Sequence, residues 1–144
     1  MPRSTPEAIE RTYAEVLRRA GQVLAAKRSV ILDATFSTRR WRQAAADLAR
    51  DAGARFVFIE TRCADHPLRL ARLASRREGV SASASDATDV DLDELTRRYE
   101  PLGPSDPGPQ LPVDTGSDPA AALASALAQL SAAGLLPARE RRQS

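Results

Sequence analysis

Apolar residues recur at Ile9, Tyr13, Val16, Leu17, Ala20 and Leu24, the spacing of one face of a helix. Ser4 followed by Glu7 makes an S-x-x-E capping pattern with Pro6 in the first turn, so the spacing predicts an amphipathic helix starting at Ser4. The pattern then changes. Ser29-Val30-Ile31-Leu32-Asp33 is a short, continuous, β-branched run, as expected of a strand buried on both faces of a parallel sheet. A second helix is predicted from Thr38 to Ala52, stopped by Gly53, and Phe56-Val57-Phe58-Ile59-Glu60-Thr61 repeats the buried-strand pattern. Asp65 and Pro67 then start a third helix, which runs through Leu68 to Arg77 and ends at Gly79.

Beyond this point the pattern weakens. Val80 to Asp89 carries too little apolar surface to pack and reads as a mobile loop, followed by a short helix from Asp91 to Tyr99. Pro101 to Pro112 holds five prolines and two glycines, which predicts an irregular surface loop. Val113-Asp114-Thr115 ends a short strand. Asp118 and Pro119 open an alanine- and leucine-rich helix, expected to be core, that closes at Gly134. Strand, helix and strand at these separations predict an α/β fold with a parallel sheet and right-handed crossovers, one domain over 1–136 with a disordered basic tail over 137–144.

Composition narrows the function classes. At 144 residues the chain can bury one core. No apolar run approaches the ~20 residues that span a bilayer, and the single cysteine, Cys63, cannot form an internal disulfide, so a cytoplasmic location is expected. The net charge of only +2 does not suit a general nucleic-acid binder. The bases are 20 arginines and one lysine, Lys27. Where the arginines stand is more informative than how many there are, because the guanidinium fork matches phosphate oxygens.

Two features point to chemistry. Asp33 closes an apolar strand, which puts a carboxylate, with Thr35 beside it, at the C-terminal edge of a parallel sheet, where open α/β folds bind ligands. Such an acid suits a hard cation such as Mg²⁺; it also suits a residue that merely ends a strand and caps the next turn. Arg69, Arg72 and Arg76 lie three and four apart on one helix face and repel one another unless something anionic faces them. A polyphosphate is one candidate; a solvated face, or ion pairs with Glu60, Asp65 or Glu94, is the other. Cys63 and His66 are too few ligands for a zinc site. Trp41 and Tyr99 are not interleaved with basic residues and read as core or interface.

Taken in order, S-V-I-L-D-A-T-F (Ser29 to Phe36), the helix opening with Arg39 and Arg40, the strand Phe56 to Glu60 and the helix with Arg69, Arg72 and Arg76 resemble the second half of P-loop kinases related to polynucleotide kinase and zeta toxins. The nearest likeness is to bacterial ATPase or kinase domains often fused to an aminoglycoside-phosphotransferase-like domain. Ser85-Asp86-Ala87, Tyr99-Glu100-Pro101-Leu102 and Val113-Asp114-Thr115 follow in the order this resemblance requires.

The resemblance implies a three-layer P-loop NTPase-like fold and an ATP and Mg²⁺ site. In it Asp33 is the acid that reaches Mg²⁺ through water, and Arg72 and Arg76 are catalytic lid arginines, with Arg69 beside them. Thr35, a cofactor-binding residue, and Arg39 or Arg40 face the acceptor side, and Asp114 and Thr115 lie near the adenine. The loop G-x-x-x-x-G-K-[ST] does not occur in the sequence, and Lys27 follows a helix with no glycine immediately before it. The expected sheet is therefore incomplete, lacking the P-loop strand between the strands of Ser29–Asp33 and Phe56–Thr61. Three functions are compatible with this: part of an ATP-dependent small-molecule kinase, inactive without its phosphate loop; a non-catalytic nucleotide or phosphate binder; or an interaction domain that completes its sheet with another chain.

Overall fold

The computed structural model describes residues 5–79, 97–116 and 118–136. Its first helix, α1 (Pro6–Ala25), is capped by Thr5, whose Oγ1 accepts a hydrogen bond from the Ala8 N–H at 3.2 Å. The cap is thus Thr5 and not Ser4, because Pro6 takes the first helical position, where its missing N–H costs nothing. Tyr13 and Ala20 are the buried residues of α1, and this face meets α2 (Arg39–Asp51), which buries Arg42, Ala45 and Ala49. A Cβ placed on Gly21 would lie 3.5 Å from Leu48 Cδ1, so a small residue at 21 lets the helices approach. Gly53, at φ +69°, takes the left-handed turn that ends α2, as expected from sequence.

The sheet among the described residues has two parallel strands, β1 (Phe58–Arg62) and β2 (Gln110–Asp114), with Phe58 opposite Gln110 and Arg62 opposite Asp114. Its end bonds run from Phe58 N–H to the Pro109 carbonyl (2.9 Å) and from Thr115 N–H to the Arg62 carbonyl (2.7 Å). In a parallel ladder alternate residues bond to the same side, so Phe58, Glu60 and Arg62 face β2 while Ile59 and Thr61 turn their peptide groups the other way. The same alternation turns Pro112 outward from β2.

Here the expectation of an irregular stretch through Pro112 is corrected. The strand begins at Gln110, and Pro112 fits within it because its missing N–H falls on an edge where no strand pairs. Its carbonyl on that edge accepts a hydrogen bond from Gln129 Nε2 at 2.8 Å. Gln129 belongs to the last helix, α4 (Pro119–Ala132), as α3 (His66–Gly79) lies between the strands. Asp65 Oδ1 accepts from Leu68 N–H (2.9 Å) at the start of α3, the predicted cap.

Two further expectations are corrected. Ser29 to Asp33 forms no strand. Val30 and Leu32 turn partly inward while Ile31 is 93% exposed. An apolar run is buried on both sides only if a layer covers each, and here one side packs against the core. The alanine-rich helix α4 is not core either: none of its residues is buried, and Leu123 and Leu127 are 60% and 44% exposed. The core lies around Tyr13, Phe36 and Ala45, with Leu17, Leu32, Trp41, Phe56 and Phe58 packed against it. The loop over 80–89, the basic tail over 137–144 and all but the end of the helix over 91–99 fall outside the described residues. No described helix is long and apolar enough to cross a membrane.

Candidate functional site

The run from Ser29 brings Asp33 to the surface, where its carboxylate makes no hydrogen bond or ion pair with any described residue. The chain then turns sharply. Phe36 is buried and left-handed, with φ +43°. For a residue with a Cβ and a ring this conformation costs about 1–2 kcal/mol, so surrounding contacts must hold it. Tyr13 supplies them: its hydroxyl accepts the Phe36 N–H at 2.9 Å and lies 3.2 Å from Thr35 Oγ1. Its ring stacks on Trp41 (4.8 Å, 12°) and meets Phe36 edge-on at 5.2 Å.

Thr38 precedes α2 without a side-chain cap; instead the Arg39 N–H donates to Glu100 Oε2 at 2.7 Å. A carboxylate at this end also complements the helix dipole. Glu100 N–H in turn donates to the Ser37 carbonyl at 2.8 Å. Arg39 Nε lies 3.6 Å from Asp106, and Arg40 pairs with Glu10 at 2.5 Å and lies over Trp41. Both arginines expected to face an acceptor are therefore engaged within the protein, on exposed side chains.

Beneath them Arg42 and Asp106 form an ion pair with both side chains fully inaccessible. Arg42 Nε donates to Asp106 Oδ1 (2.7 Å), Nη1 to the Phe36 carbonyl (2.8 Å) and Nη2 to the Glu100 carbonyl (2.9 Å). Asp106 Oδ2 accepts the Gly103 N–H at 2.9 Å. Burial alone would push the Asp106 carboxyl up; the Arg42 hydrogen bond, the Gly103 N–H and the charges of Arg42 and Arg39 outweigh it and hold the group below its ordinary value.

The second cluster forms where β1 and β2 end. Arg72 on α3 reaches back to Thr115, donating to its carbonyl at 2.5 Å and to Oγ1 at 3.4 Å, while Thr115 Oγ1 donates to the Arg62 carbonyl at 3.1 Å. Asp114 Oδ1 accepts the Gly116 N–H at 2.7 Å and shapes the turn beyond β2. The structure thus brings Arg72 and Thr115 together at the C-terminal edge of the parallel pair, with Arg69 half-buried one turn earlier. The Arg76 side chain lies outside the described residues. Among the described residues no hydrogen bond or ion pair links this cluster to Asp33 or Thr35.

Among the described residues no group of three or more His, Cys, Asp or Glu could hold a metal ion. A single exposed acid such as Asp33 fits Mg²⁺ only through water, with phosphate oxygens completing the shell. A shallow depression of about 410 Å³, lined by Arg11, Thr12, Glu15, Val16 and Arg19, shares no residue with either cluster, so it is not part of this site.

Tyr13, Glu100 and Asp106 were not identified as site-shaping from sequence. Arg42 had a legible signal, a charge in register with Ala45 and Ala49 on the buried face of α2. The Tyr13 hydroxyl had none, since a tyrosine on an apolar stripe reads as a ring.

Comparison with curated proteins and with solved structures gives no match. The acid at the end of an apolar run and the parallel pairing of β1 with β2 suit an open α/β sheet, which binds ligands outside the C-terminal ends of its strands. A family model described as an AAA domain matches residues 1–102, well over half of the chain, and the protein belongs to this P-loop NTPase-like family.

Proposed function

We propose that this chain forms the acid-and-lid part of an ATP-dependent P-loop kinase that transfers a phosphoryl group to a small-molecule acceptor, and that it works with a phosphate-binding loop carried on another segment. The observation that carries the reading is the asymmetry of the sheet. The β2 edge is closed by Pro112 and Gln129, whereas β1 leaves the peptide groups of Ile59 and Thr61 directed at nothing described. Ser29–Asp33 is also unpaired, with Leu32 and Phe58 packed on the same core cluster. A strand entering between them would give both segments hydrogen-bonding neighbours, and a glycine-rich loop after it would emerge beside Asp33.

In this reading Asp33 would hold Mg²⁺ through water, and Thr35 would contact a phosphate. Arg72, with Arg69 and Arg76 on the same helix, releases Thr115 to neutralise phosphate charge. Asp114 and Thr115 border the nucleobase, and Arg39 and Arg40 line the acceptor side. Bound magnesium would supply charge neutralisation on the phosphate oxygens. The open β1 edge equally favours a second reading, an interaction domain that takes a strand from a partner protein without catalysis.

Calorimetric titration of the chain with MgATP tests the first reading, with Asp33→Ala and Arg72→Ala as controls. Saturable binding weakened about tenfold or more in each variant, the loss of one charged contact, is the expected result. A folded chain with no MgATP binding removes the claim that these residues form a phosphate site unaided and leaves the interaction reading.

A further inference from the structure

We infer that the Tyr13 hydroxyl is a positioning group that sets the turn from Asp33 to Phe36 and thereby the joint presentation of the Asp33 carboxylate and the Thr35 hydroxyl. The link to ligand rests on the nucleotide-binding role proposed above; the setting of the turn does not. Burial explains the Tyr13 ring, which stacks on Trp41 and meets Phe36 edge-on, but phenylalanine would satisfy both contacts. The hydroxyl needs its own account. It makes two bonds, to the Phe36 N–H and to Thr35 Oγ1, and these are successive residues of one turn. The bonded amide belongs to Phe36, the left-handed residue, and Lys27 is the one other non-glycine with positive φ among the described residues. A buried aromatic in that conformation is unfavourable by itself, so the contacts that capture its N–H decide whether the turn persists.

The captured turn has a consequence at both ends. On its far side the Phe36 carbonyl accepts from Arg42 Nη1, so the peptide groups flanking this residue are held by Tyr13 from α1 and by Arg42 from α2. On its near side Thr35 and Asp33 stay exposed, with the Thr35 hydroxyl held by a bond and Asp33 two residues away. If Phe36 relaxed to negative φ, the direction of the chain at Thr35 would change and the two oxygens would no longer be offered together.

Tyr13→Phe removes the hydroxyl and keeps the ring. Backbone amide exchange followed by NMR is the direct readout: the Phe36 amide is expected to exchange about fivefold faster in the variant, the factor for one net hydrogen bond, while Ala45 and Ala49 in α2 exchange as before. MgATP affinity is expected to fall about three- to tenfold, for the same lost bond. Should the variant fail to fold, the native chain still decides the matter, because its Phe36 amide must exchange more slowly than those of Asp33 and Ala34, for which no acceptor is present among the described residues. Unchanged Phe36 exchange, or equal acceleration across α1 and α2, overturns the inference. A faster Phe36 amide with native MgATP affinity overturns the link from turn to ligand. A native chain that shows the Phe36 effect but binds no MgATP upholds the setting of the turn and removes instead the claim that these residues form a phosphate site unaided.

Discussion

Arg42→Ala is expected to be among the most damaging single substitutions in this chain. It deletes three hydrogen bonds, to Asp106, to the Phe36 carbonyl and to the Glu100 carbonyl, and leaves the Asp106 carboxylate in a site with no solvent access. Breaking a buried pair from one side typically costs 3–5 kcal/mol. Two partners remain to Asp106, the Gly103 N–H and the Arg39 guanidinium at 3.6 Å, so the lower end, about 3 kcal/mol, is expected. For a chain of this size that is a fall in melting temperature of roughly 10 °C. The assay is urea and thermal unfolding of the native chain, Arg42→Ala, and the double variant Arg42→Met/Asp106→Leu. The double variant removes both charges and orphans only neutral backbone groups, so it should be more stable than Arg42→Ala.

The pH dependence follows in sign. The folded Asp106 carboxyl titrates below its unfolded value of about 3.9, so its stabilisation is complete above that value and is lost as pH falls through the lower, folded one. Asp106→Asn should flatten this acid limb and leave the pH 5–8 region level. Melting of Arg42→Ala within about 0.5 kcal/mol of the native chain, the range of ordinary surface substitutions, would refute the assignment of this pair as a buried clamp.

Two further outcomes are expected. The Glu15 carboxyl is lowered toward about 2 by hydrogen bonds from Arg18 and Arg19, so NMR titration at low salt should place its inflection below the ordinary glutamate value and move it upward in Arg18→Ala. Because this cluster is exposed and screened, Glu15→Gln should leave the melting temperature near its native value. Gly53→Ala should cost about 1 kcal/mol, because φ +69° disfavours a Cβ even though no atom lies within 4 Å of one there; Gly53→Asn, read in the same melts, should cost less.

Helices were the legible part of the fold. The 3.6-residue spacing in α1 and α2, Gly53 after α2 and Asp65 before α3 are local signals that act within a turn or two of chain, and the structure carries them through. The errors share one cause, which is that burial depends on neighbours the local pattern does not contain. Ile31 reads as core because it sits in a β-branched run, yet the side it faces is uncovered. Leu123 and Leu127 read as core because α4 is alanine-rich, yet among the described residues α4 packs mainly against β2 and leaves these leucines exposed. Pro112 reads as a loop residue because proline disrupts ladders, yet an outer edge asks for no N–H. At the candidate site, residue types were legible and their tethers were not. Asp33 and Thr35 could be picked from the end of an apolar run, but Tyr13 and Asp106 lie 20 or more residues from the groups they hold.

Those tethers explain how so small a sheet can hold its candidate site in place. Two strands alone rarely make a stable sheet, and parallel pairs are ordinarily covered on both faces. Here the site-bearing segments are fixed by polar contacts that cross between elements. Tyr13 of α1 and Arg42 of α2 hold the two sides of Phe36, and Glu100 holds the start of α2. Arg72 of α3 holds the end of β2 through Thr115. The first set contains a fully inaccessible pair that acid or a single substitution can break, whereas the last is one arginine on part-buried threonine oxygens. An arriving phosphate can compete for Arg72 at the cost of one charged hydrogen-bonded contact, about 1.5–3 kcal/mol. It cannot draw out Arg42 without exposing Asp106. The geometry therefore divides the arginines into Arg42, locked in a buried pair, and Arg72, held only by part-buried threonine oxygens and, under the proposed function, able to leave Thr115 for a ligand.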